Sequence, residues 1–282
     1  MHWSLWLGTI LSFYLGICLY MYLTQERQLF VPPRDWRALP SDWGLAYETV
    51  TLQSGNETLT SWFIEGDPIK PVVLFFHGNA SNIGDLDDYA QLFHDMGYST
   101  LLLEYRGYGK SSGRPSEVGL YADARAAWEY LTATRQIAPQ RIVLFGHSLG
   151  GGPACWLAEQ AAVAGLVLEG TFTSIPDRAA ELYPWLPTRL LVKVYFPNMQ
   201  RLARLQVPLL VVHSQEDAVI PIAHGRALYR AARGPKSMVV TQGPHDGGVR
   251  QNRQQLEAGL RGLEGRLAGV NPNSKPTQAE TP

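Results

Sequence analysis

The sequence has no excess of charge of either sign. Its 282 residues contain 24 lysines and arginines against 25 aspartates and glutamates, which gives a net charge of −1 at neutral pH. Proteins that bind the phosphate backbone of nucleic acids carry basic patches or stripes, and this chain has no such stripe. We therefore expect no nucleic-acid partner, and a length that one large α/β domain can fill.

Cysteine is also scarce. The chain has two cysteines, Cys18 within an apolar N-terminal run and Cys155 in the body of the chain. A disulfide framework needs several cysteines at paired spacings, so these two predict no disulfide. Cysteine usage does not indicate the cellular compartment.

Charged side chains are absent from the segment between His2 and Gln25. A helix of about 20 apolar residues spans the roughly 30 Å hydrocarbon core of a bilayer, and this run carries tryptophans near one end and tyrosines near the other, as interfacial belts favour. A cleaved signal peptide needs a basic start and a small-residue cleavage site, and both are missing here. We predict that residues 1–25 form an uncleaved transmembrane anchor; the alternative is a buried core helix.

Positive charge follows this run and none precedes it. Arg27, Arg34 and Arg37 all lie within a short distance of its C-terminal end. Because positively charged flanks stay on the cytoplasmic side of a membrane, we predict a single-pass membrane protein whose remaining domain is cytoplasmic.

Prolines then predict a linker over residues 26–44, since Pro32, Pro33 and Pro40 lack the backbone donor that a helix interior or a central strand needs. Two β-rich runs, AYETVTL and TLTSWFIE, follow with the turn-forming stretch QSGNE between them. This pattern predicts an antiparallel hairpin.

From Pro71 onward, short apolar runs alternate with longer amphipathic runs, which is typical of buried parallel strands joined by crossover helices. We predict an α/β domain over 45–268 with a mostly parallel sheet, helices on both faces and a small cap insertion at about 174–206. The polar, proline-containing tail 269–282 is expected to be disordered. The predicted strands are 72–76, 99–105, 141–146, 165–170, 208–213 and 237–242, and the predicted helices lie near 84–95, 117–134, 149–163, 222–233 and 249–267.

The stretch GHSLG follows the strand RIVLF directly and precedes a predicted helix. Gly146, Ser148 and Gly150 fit the pattern G-x-S-x-G, in which small residues relieve crowding around a strained turn and expose the serine at the end of the sheet. The alternative is a glycine-rich strand end with a serine that takes no part in chemistry. The strand, turn and helix context favours Ser148 as a nucleophile.

A serine hydroxyl needs a base and an orienting acid, which follow the nucleophile in the order acid then histidine in such folds. Asp217 comes after the strand PLLVVH, and His245 after the last predicted strand. We assign Asp217 as the acid and His245 as the base, with Glu169 and Glu216 as the remaining candidates for the acid. Among the other histidines, we expect His147 to pack beside the site, His213 to orient the acid loop, and His94 and His224 to be solvated.

An oxyanion forms during acyl transfer and needs backbone donors, one of them on the residue after the nucleophile. That residue is Leu149. The second donor is expected from the loop after the first parallel strand, where Gly78 permits a backbone path that aims the Asn79 N–H inward. The alternative is an ordinary turn at the end of the strand.

These motifs resemble the α/β-hydrolase superfamily, and within it the single-pass, membrane-anchored serine hydrolases of the abhydrolase-domain branch. The resemblance runs from about Gln28 to Leu267 and is carried by FFHGNASNIGD, EYRGYGKSSGRPSE, FGHSLGGGPA, EGTFTSIPD and YPWLP. It implies Ser148 as nucleophile, Asp217 as acid and His245 as base.

A rival motif fails. EYRGYGKSSG looks like a phosphate-binding loop, but the position five residues before Gly109 is Glu104 where that loop needs glycine. We assign the chain no nucleotide, no other cofactor and no metal.

Two classes of function are consistent with these features. The first is a serine hydrolase that cleaves carboxylic esters or related acyl bonds, including thioesters or amides, on a small-molecule substrate; the aromatic and aliphatic residues of the cap suit a hydrophobic acyl group. The second is a catalytically silent, membrane-tethered binding protein. The presence of all three triad residues favours the enzyme, and the sequence identifies no protein partner.

Overall fold

The computed structural model describes residues 2–270. Residues 271–282, most of the tail predicted to be disordered, lie outside the described residues. The helices in chain order are α1 His2–Leu29, α2 Asp87–Asp95, α3 Glu117–Glu129 with a π turn over Tyr130–Thr134, α4 Gly151–Gln160, α5 Ile175–Leu182, α6 Thr188–Leu191, α7 Asn198–Leu202, α8 Ile222–Ala231 and α9 Gly248–Val270.

An 8-stranded sheet forms the centre of the domain, with the strand order β1-β2-β4-β3-β5-β6-β7-β8. The first two strands pair antiparallel as the predicted hairpin, β2 pairs antiparallel with β4, and every pairing from β4 to β8 is parallel. The strands are β1 Glu48–Ser54, β2 Glu57–Ile64, β3 Val72–Phe76, β4 Ser99–Leu103, β5 Ile142–His147, β6 Gly165–Glu169, β7 Leu209–Ser214 and β8 Lys236–Thr241. The predicted α/β class with a mostly parallel sheet is confirmed.

The central strands are apolar on both faces because helices cover the sheet from both sides. Alternate residues of β3 enter two different core clusters: Leu74 and Phe76 join the one beneath α3 and α4, and Val73 and Phe75 join the one beneath α2 and α9. This period of two follows from the pleat of a strand. It explains why the parallel strands show continuous apolar runs rather than alternation.

Helix α1 is long and apolar enough to cross a membrane over Trp6–Leu29, and only 6% of its most apolar window is buried by protein. A core helix of a soluble domain is covered on most sides, so the alternative of a buried core helix is wrong. The helix also continues four residues beyond the predicted boundary at residue 25. It ends before Pro32, since the residue preceding a proline is disfavoured in helical conformation.

The segment predicted as a linker, 26–44, packs against the domain instead of standing free. Phe30 is buried in the core, Trp36 packs edge-on against Trp62 with ring centroids 4.8 Å apart, and Arg34 donates a 2.7 Å hydrogen bond to the Gly107 carbonyl. Its prolines still exclude an extended helix, but the aromatic residues between them supply apolar surface that the domain buries.

Helices α5, α6 and α7 lie in the segment 174–206 that was predicted as a cap, after β6. At the C-terminal end, α9 extends through Val270 and bends at Asn252, whose φ of −129° is not helical. The predicted boundary of the tail at 269 stays a prediction.

One glycine between β2 and β3 lies where a side chain has no room. A Cβ at Gly66 would lie 2.5 Å from the carbonyl carbon of Tyr98, just before β4 begins. By contrast, a Cβ at Gly265 in α9 meets nothing within 4 Å.

We expect Gly66→Ala to lower the free energy of unfolding by about 1–3 kcal/mol, because the backbone must shift to admit the methyl group. Gly265→Ala is the matched control and is expected to raise it by about 0.5–1 kcal/mol, since alanine favours a helix interior over glycine. Denaturant unfolding of both variants checks this pair. Equal effects of the two changes would contradict it.

Candidate active site

Ser148 lies at the turn between β5 and the helical segment that leads into α4. Its φ is +51°, in the left-handed region that a residue with a side chain adopts at a cost of about 1–3 kcal/mol. This turn directs the serine side chain out of the carboxyl end of the sheet, where catalytic groups gather in such folds.

Close packing around this turn explains the glycines of GHSLGGG. A Cβ at Gly146 would lie 2.7 Å from the Gly150 carbonyl oxygen, and one at Gly150 would lie 2.0 Å from the Phe76 carbonyl oxygen. A Cβ at Gly152 would lie 2.3 Å from the ring of Phe196 in the cap. The first two glycines let strand and helix approach the turn, and the third lets the cap pack on α4.

Ser148, His245 and Asp217 form one chain of hydrogen bonds. The Ser148 Oγ lies 2.8 Å from His245 Nε2, and His245 Nδ1 lies 2.6 Å from Asp217 Oδ2. With the proton on Nδ1 donated to the carboxylate, Nε2 is free to accept the proton of the serine hydroxyl. The structure therefore brings the three residues predicted from the sequence together in the order that nucleophilic catalysis needs.

Asp217 is held by its own loop. Its Oδ1 accepts hydrogen bonds from the backbone N–H groups of Val219 and Ile220, at 2.9 and 2.7 Å. Burial by itself raises the pKa of this carboxyl, but the hydrogen bonds from His245 and the Ile220 backbone outweigh burial, so the net pKa is lowered. Asp217 is thus ionised at neutral pH and fixes the tautomer of His245.

The other two candidate acids have different partners. Glu169 accepts a 2.6 Å hydrogen bond from the Tyr89 hydroxyl, and Glu216 accepts one of 2.8 Å from the Gly243 backbone N–H. Glu216 thereby holds the loop that precedes His245 without touching the imidazole. The geometry favours Asp217 over both.

The loop after β3 lies directly against the nucleophile. A Cβ at Gly78 would lie 3.4 Å from the Ser148 Cβ and 3.0 Å from the His147 ring. The positive φ in this loop belongs to Ala80, at +54°, and not to Gly78. The expectation that Gly78 supplies an unusual backbone path is therefore wrong: this glycine is small so that the loop can approach the site.

The backbone N–H groups of Leu149 and Asn79 are the predicted donors to the oxyanion. Leu149 follows the nucleophile at the start of the helical segment, where the first N–H groups lack intrahelical acceptors. Asn79 follows Gly78 in the adjacent loop, and the assignment of both N–H groups as oxyanion donors stays a prediction.

The Asn79 side chain joins the site to the end of α1. Its Nδ2 donates to the Leu29 carbonyl, and its Oδ1 accepts hydrogen bonds from the Val31 N–H at 3.0 Å and the Tyr108 hydroxyl at 2.9 Å. The backbone that carries a predicted oxyanion donor is therefore tied directly to the C-terminal end of the apolar helix.

Comparison with known proteins identifies the family. Residues 67–201 match the family model of serine aminopeptidase S33. The chain is 37% identical over 235 residues to the uncharacterised protein Rv2307c of Mycobacterium tuberculosis, covering 81% of this chain and 82% of that one. It is 33% identical to the alpha/beta hydrolase domain-containing protein WAV2 of Arabidopsis thaliana, covering 77% and 79%. The chain belongs to the alpha/beta hydrolase family.

A solved esterase structure has the same fold as this chain. The esterase Pf2001 of Pyrococcus furiosus superimposes with a TM-score of 0.69 at 18% identity, over 84% of this chain and 97% of the esterase. At that identity the likeness concerns the fold alone.

Further residues of the hydrolase support the acid and base loops. His213 donates a 2.7 Å hydrogen bond from Nε2 to the Ile220 carbonyl, next to the loop amides that hold Asp217. Burial lowers the pKa of His213, so it is neutral at neutral pH and orients the acid loop as expected. Asn252 pairs with the backbone of Gln242 through its amide, at 3.1 and 2.9 Å. Sequence reasoning missed Asn252, because the bend it makes in α9 has no glycine or proline to indicate it.

His224 does not match the expectation of a solvated side chain. It is buried, with Nδ1 3.0 Å from the Thr173 hydroxyl and Nε2 3.1 Å from Glu181 Oε2 in the cap. The cap covers this face of α8, which the sequence periodicity of α8 alone does not reveal. His94 is exposed, as expected.

The imidazoles of His147 and His245 and the carboxylate of Asp246 are close enough to hold a metal ion, with ligand atoms within 4.8 Å of one another. A metal there would have to take a ring nitrogen of His245, and both of these nitrogens already contact Ser148 or Asp217. The hydrogen-bond chain therefore fits this hydrolase better than a metal site does.

The glycine-rich stretch after β4 packs against buried side chains. A Cβ at Gly109 would lie 2.0 Å from Glu104 Oε2, which accepts a 2.7 Å hydrogen bond from Trp36 Nε1. Glu104 Oε1 lies 3.2 Å from His77 Nε2 beneath the loop that carries Asn79. These glycines thus allow close packing around a buried carboxylate.

The choice of acid generates a kinetic prediction. We expect Asp217→Asn to lower kcat for ester hydrolysis by on the order of 10⁴-fold, since the amide favours the wrong tautomer of His245. Glu169→Gln and Glu216→Gln keep an oxygen that accepts their present hydrogen bonds, so each is expected to change kcat less than about tenfold. Steady-state kinetics of the three variants test the assignment, and a larger loss in either glutamine variant would overturn it.

Proposed function

We propose that this hydrolase is a serine enzyme that cleaves carboxylic ester or related acyl bonds through an acyl-enzyme. The observation that carries the proposal is the continuous hydrogen-bonded chain from Ser148 through His245 to Asp217. It stands beside a loop and a helix start that can offer backbone donors to an oxyanion.

In the first half-reaction, Ser148 Oγ attacks the acyl carbon while His245 Nε2 takes the hydroxyl proton. The carbonyl π electrons move to oxygen, and the N–H groups of Leu149 and Asn79 stabilise the resulting oxyanion. When the tetrahedral intermediate collapses, the bond to the leaving group breaks and His245 returns the proton to that group. The imidazolium formed in between is stabilised by ionised Asp217.

In the second half-reaction, water takes the place of the leaving group. His245 removes a proton from the water as its oxygen attacks the acyl carbon of the acyl-enzyme. Collapse of the second intermediate breaks the bond to Ser148 Oγ, which regains its proton from His245. The carboxylic acid leaves and the enzyme returns to its starting state.

A peptidase is the second candidate. The matching family model is described as a serine aminopeptidase, and the same residues can cleave an amide by the same steps. Parallel assays on p-nitrophenyl esters and on aminoacyl p-nitroanilides separate the two functions. A catalytically silent binding protein is the remaining alternative.

Covalent labelling tests the nucleophile. A fluorophosphonate probe is expected to label the wild-type chain at one site, because an activated serine attacks phosphorus as it attacks an acyl carbon. Ser148→Ala should lose labelling and ester turnover while its unfolding transition stays in place. Ser237→Ala, a matched change in β8 far from the triad, should retain both. Labelling that survives Ser148→Ala, or a folded Ser148→Ala variant with near wild-type kcat, would refute the proposal.

We also propose that α1 anchors the enzyme in a membrane with its hydrolase domain in the cytoplasm. Within the described residues 2–270, neither core cluster draws on residues 2–25, so the domain does not need that segment for its interior. The exposed apolar side chains of α1, among them Trp6, Ile10 and Phe13, would otherwise contact water.

Full-length protein is expected to sediment with membranes and to require detergent for extraction, and deletion of residues 1–25 should release a soluble hydrolase that still turns over a short-chain ester such as p-nitrophenyl butyrate. Protease added to intact cells should leave the domain uncut, since the arginines that follow the span favour the cytoplasmic side. Full-length protein in the soluble fraction without detergent would disprove the anchor, and cleavage in intact cells would reverse the orientation.

A further inference from the structure

A cavity of about 220 Å³ lies between the C-terminal turns of α1 and the cap. Met21, Gln25 and Leu29 line it from α1, and Ala179, Leu182 and Leu186 line it from the cap. The wall is therefore shared between the segment proposed to enter the membrane and the insertion that covers the active site.

The cap lies alongside α1 over several turns. Gln25 bonds to the cap through both ends of its amide, donating to the Leu191 carbonyl at 3.0 Å and accepting from the Lys193 N–H at 2.6 Å. Three turns earlier on α1, the Tyr14 hydroxyl donates to the Trp185 carbonyl at 3.0 Å. These contacts span about 16 Å along the helix axis.

If α1 crosses a bilayer, the tip of the cap must enter it too, because Tyr14 lies well inside the apolar run. The side chains at this tip suit that position: Leu182, Trp185 and Leu190 are exposed to 53%, 55% and 83%. Exposed apolar side chains clustered on one surface mark a contact with a membrane or a partner. The cavity beside them then opens at the depth of the bilayer interface.

Ser148, Asp217 and His245 do not line the cavity, but short segments of chain connect its wall to the active site. Its inner wall includes Leu29, whose carbonyl accepts the hydrogen bond from the Asn79 side chain beside Ser148. On the cap side, the wall includes Ile175, which follows Thr171 by four residues, and the Thr171 hydroxyl donates a 2.6 Å hydrogen bond to the Ser148 carbonyl.

Two polar side chains in the wall, Gln25 and Arg178, have partners within the protein. The Gln25 amide is bonded to the cap backbone, and Arg178 donates hydrogen bonds to the Val219 carbonyl and to Glu181, both at 2.8 Å. These two residues therefore present mainly their hydrocarbon parts to an occupant. The leucines, Met21 and Ala179 in the wall are apolar as well. An elongated apolar ligand fits this lining better than a polar or charged one.

We propose that this cavity binds the long acyl chain of an ester resident in the membrane, and that α1 is one wall of the substrate site as well as an anchor. This proposal rests on the ester hydrolysis proposed above. The chain enters between α1 and the cap from the bilayer, which places its carboxyl end toward Ser148. Because the chain passes from the hydrocarbon of the bilayer into an apolar cavity, the preference for long chains comes from close packing against the cavity wall and not from leaving water.

The test compares full-length variants in phospholipid vesicles on p-nitrophenyl butyrate and p-nitrophenyl palmitate. Ala179→Trp fills the cavity from the cap, and Met21→Trp fills it from α1. Each is expected to lower the palmitate-to-butyrate ratio of kcat/KM by about tenfold or more.

Each variant has a matched control. Ala180→Trp makes the same change one residue along α5, outside the cavity wall, and Leu19→Trp adds a tryptophan to the exposed side of α1. Both controls should keep the wild-type ratio. Labelling of Ser148 by diisopropyl fluorophosphate, which has no long chain, shows that the triad is intact in every variant.

The outcomes separate this proposal from the proposed function. Labelled Ala179→Trp and Met21→Trp variants with the wild-type ratio, or a wild-type enzyme that does not prefer palmitate, would overturn the acyl-chain site while leaving ester hydrolysis standing. A reduced ratio in the Ala179→Trp variant alone would overturn the role of α1. Absence of Ser148-dependent butyrate turnover would instead defeat the proposed function itself.

Discussion

The left-handed backbone of Ser148 is the constraint on which the rest of the site depends. A serine at a φ of +51° persists only where its surroundings compensate the strain. Here β5 lies between β3 and β6, and Gly150 allows the helical segment to approach the Phe76 carbonyl at the end of β3. The same packing that holds the turn also brings the loop after β3 to the serine, so one arrangement of strands positions both Ser148 and the loop that carries Asn79.

The base and acid reach this serine from loops that are themselves held by backbone hydrogen bonds. Asp217 is fixed by amides of its own loop, and Glu216 next to it holds the Gly243 N–H in the loop that carries His245. Asp217 thus orients the imidazole, and the adjacent Glu216 joins the two loops. Preorganisation of this kind lets a hydrogen-bond chain assemble without a large conformational change during reaction.

Asn79 connects the end of α1 to the loop beside Ser148. Its side chain binds the end of α1 and the start of the following segment, while its backbone lies in the loop against Ser148. The residues between α1 and β1 then pack over the domain through Phe30, Arg34 and Trp36. Helix α1 is therefore joined closely to the domain, unlike a helix on a flexible tether.

Local pattern was sufficient for the sheet and for the triad residues. Continuous apolar runs such as VVLFF predict buried parallel strands whatever surrounds them, and strand ends place Ser148, Asp217 and His245 at one edge by topology alone. Glycine positions such as Gly146 and Gly150 could be predicted because the strained turn demands them.

Contacts between distant segments were decided only by the tertiary structure. The burial of His224 and the packing of the segment 26–44 each depend on a neighbour far away in sequence. The same holds for the cavity, whose two walls are separated by about 150 residues of chain. The bend at Asn252 occurs where its side chain binds the backbone of Gln242. By itself the sequence determined which segments are strands, helices and site loops, because these follow from local periodicity and turn chemistry. Only the tertiary structure decided what covers each surface, because side-chain burial depends on how the elements pack together.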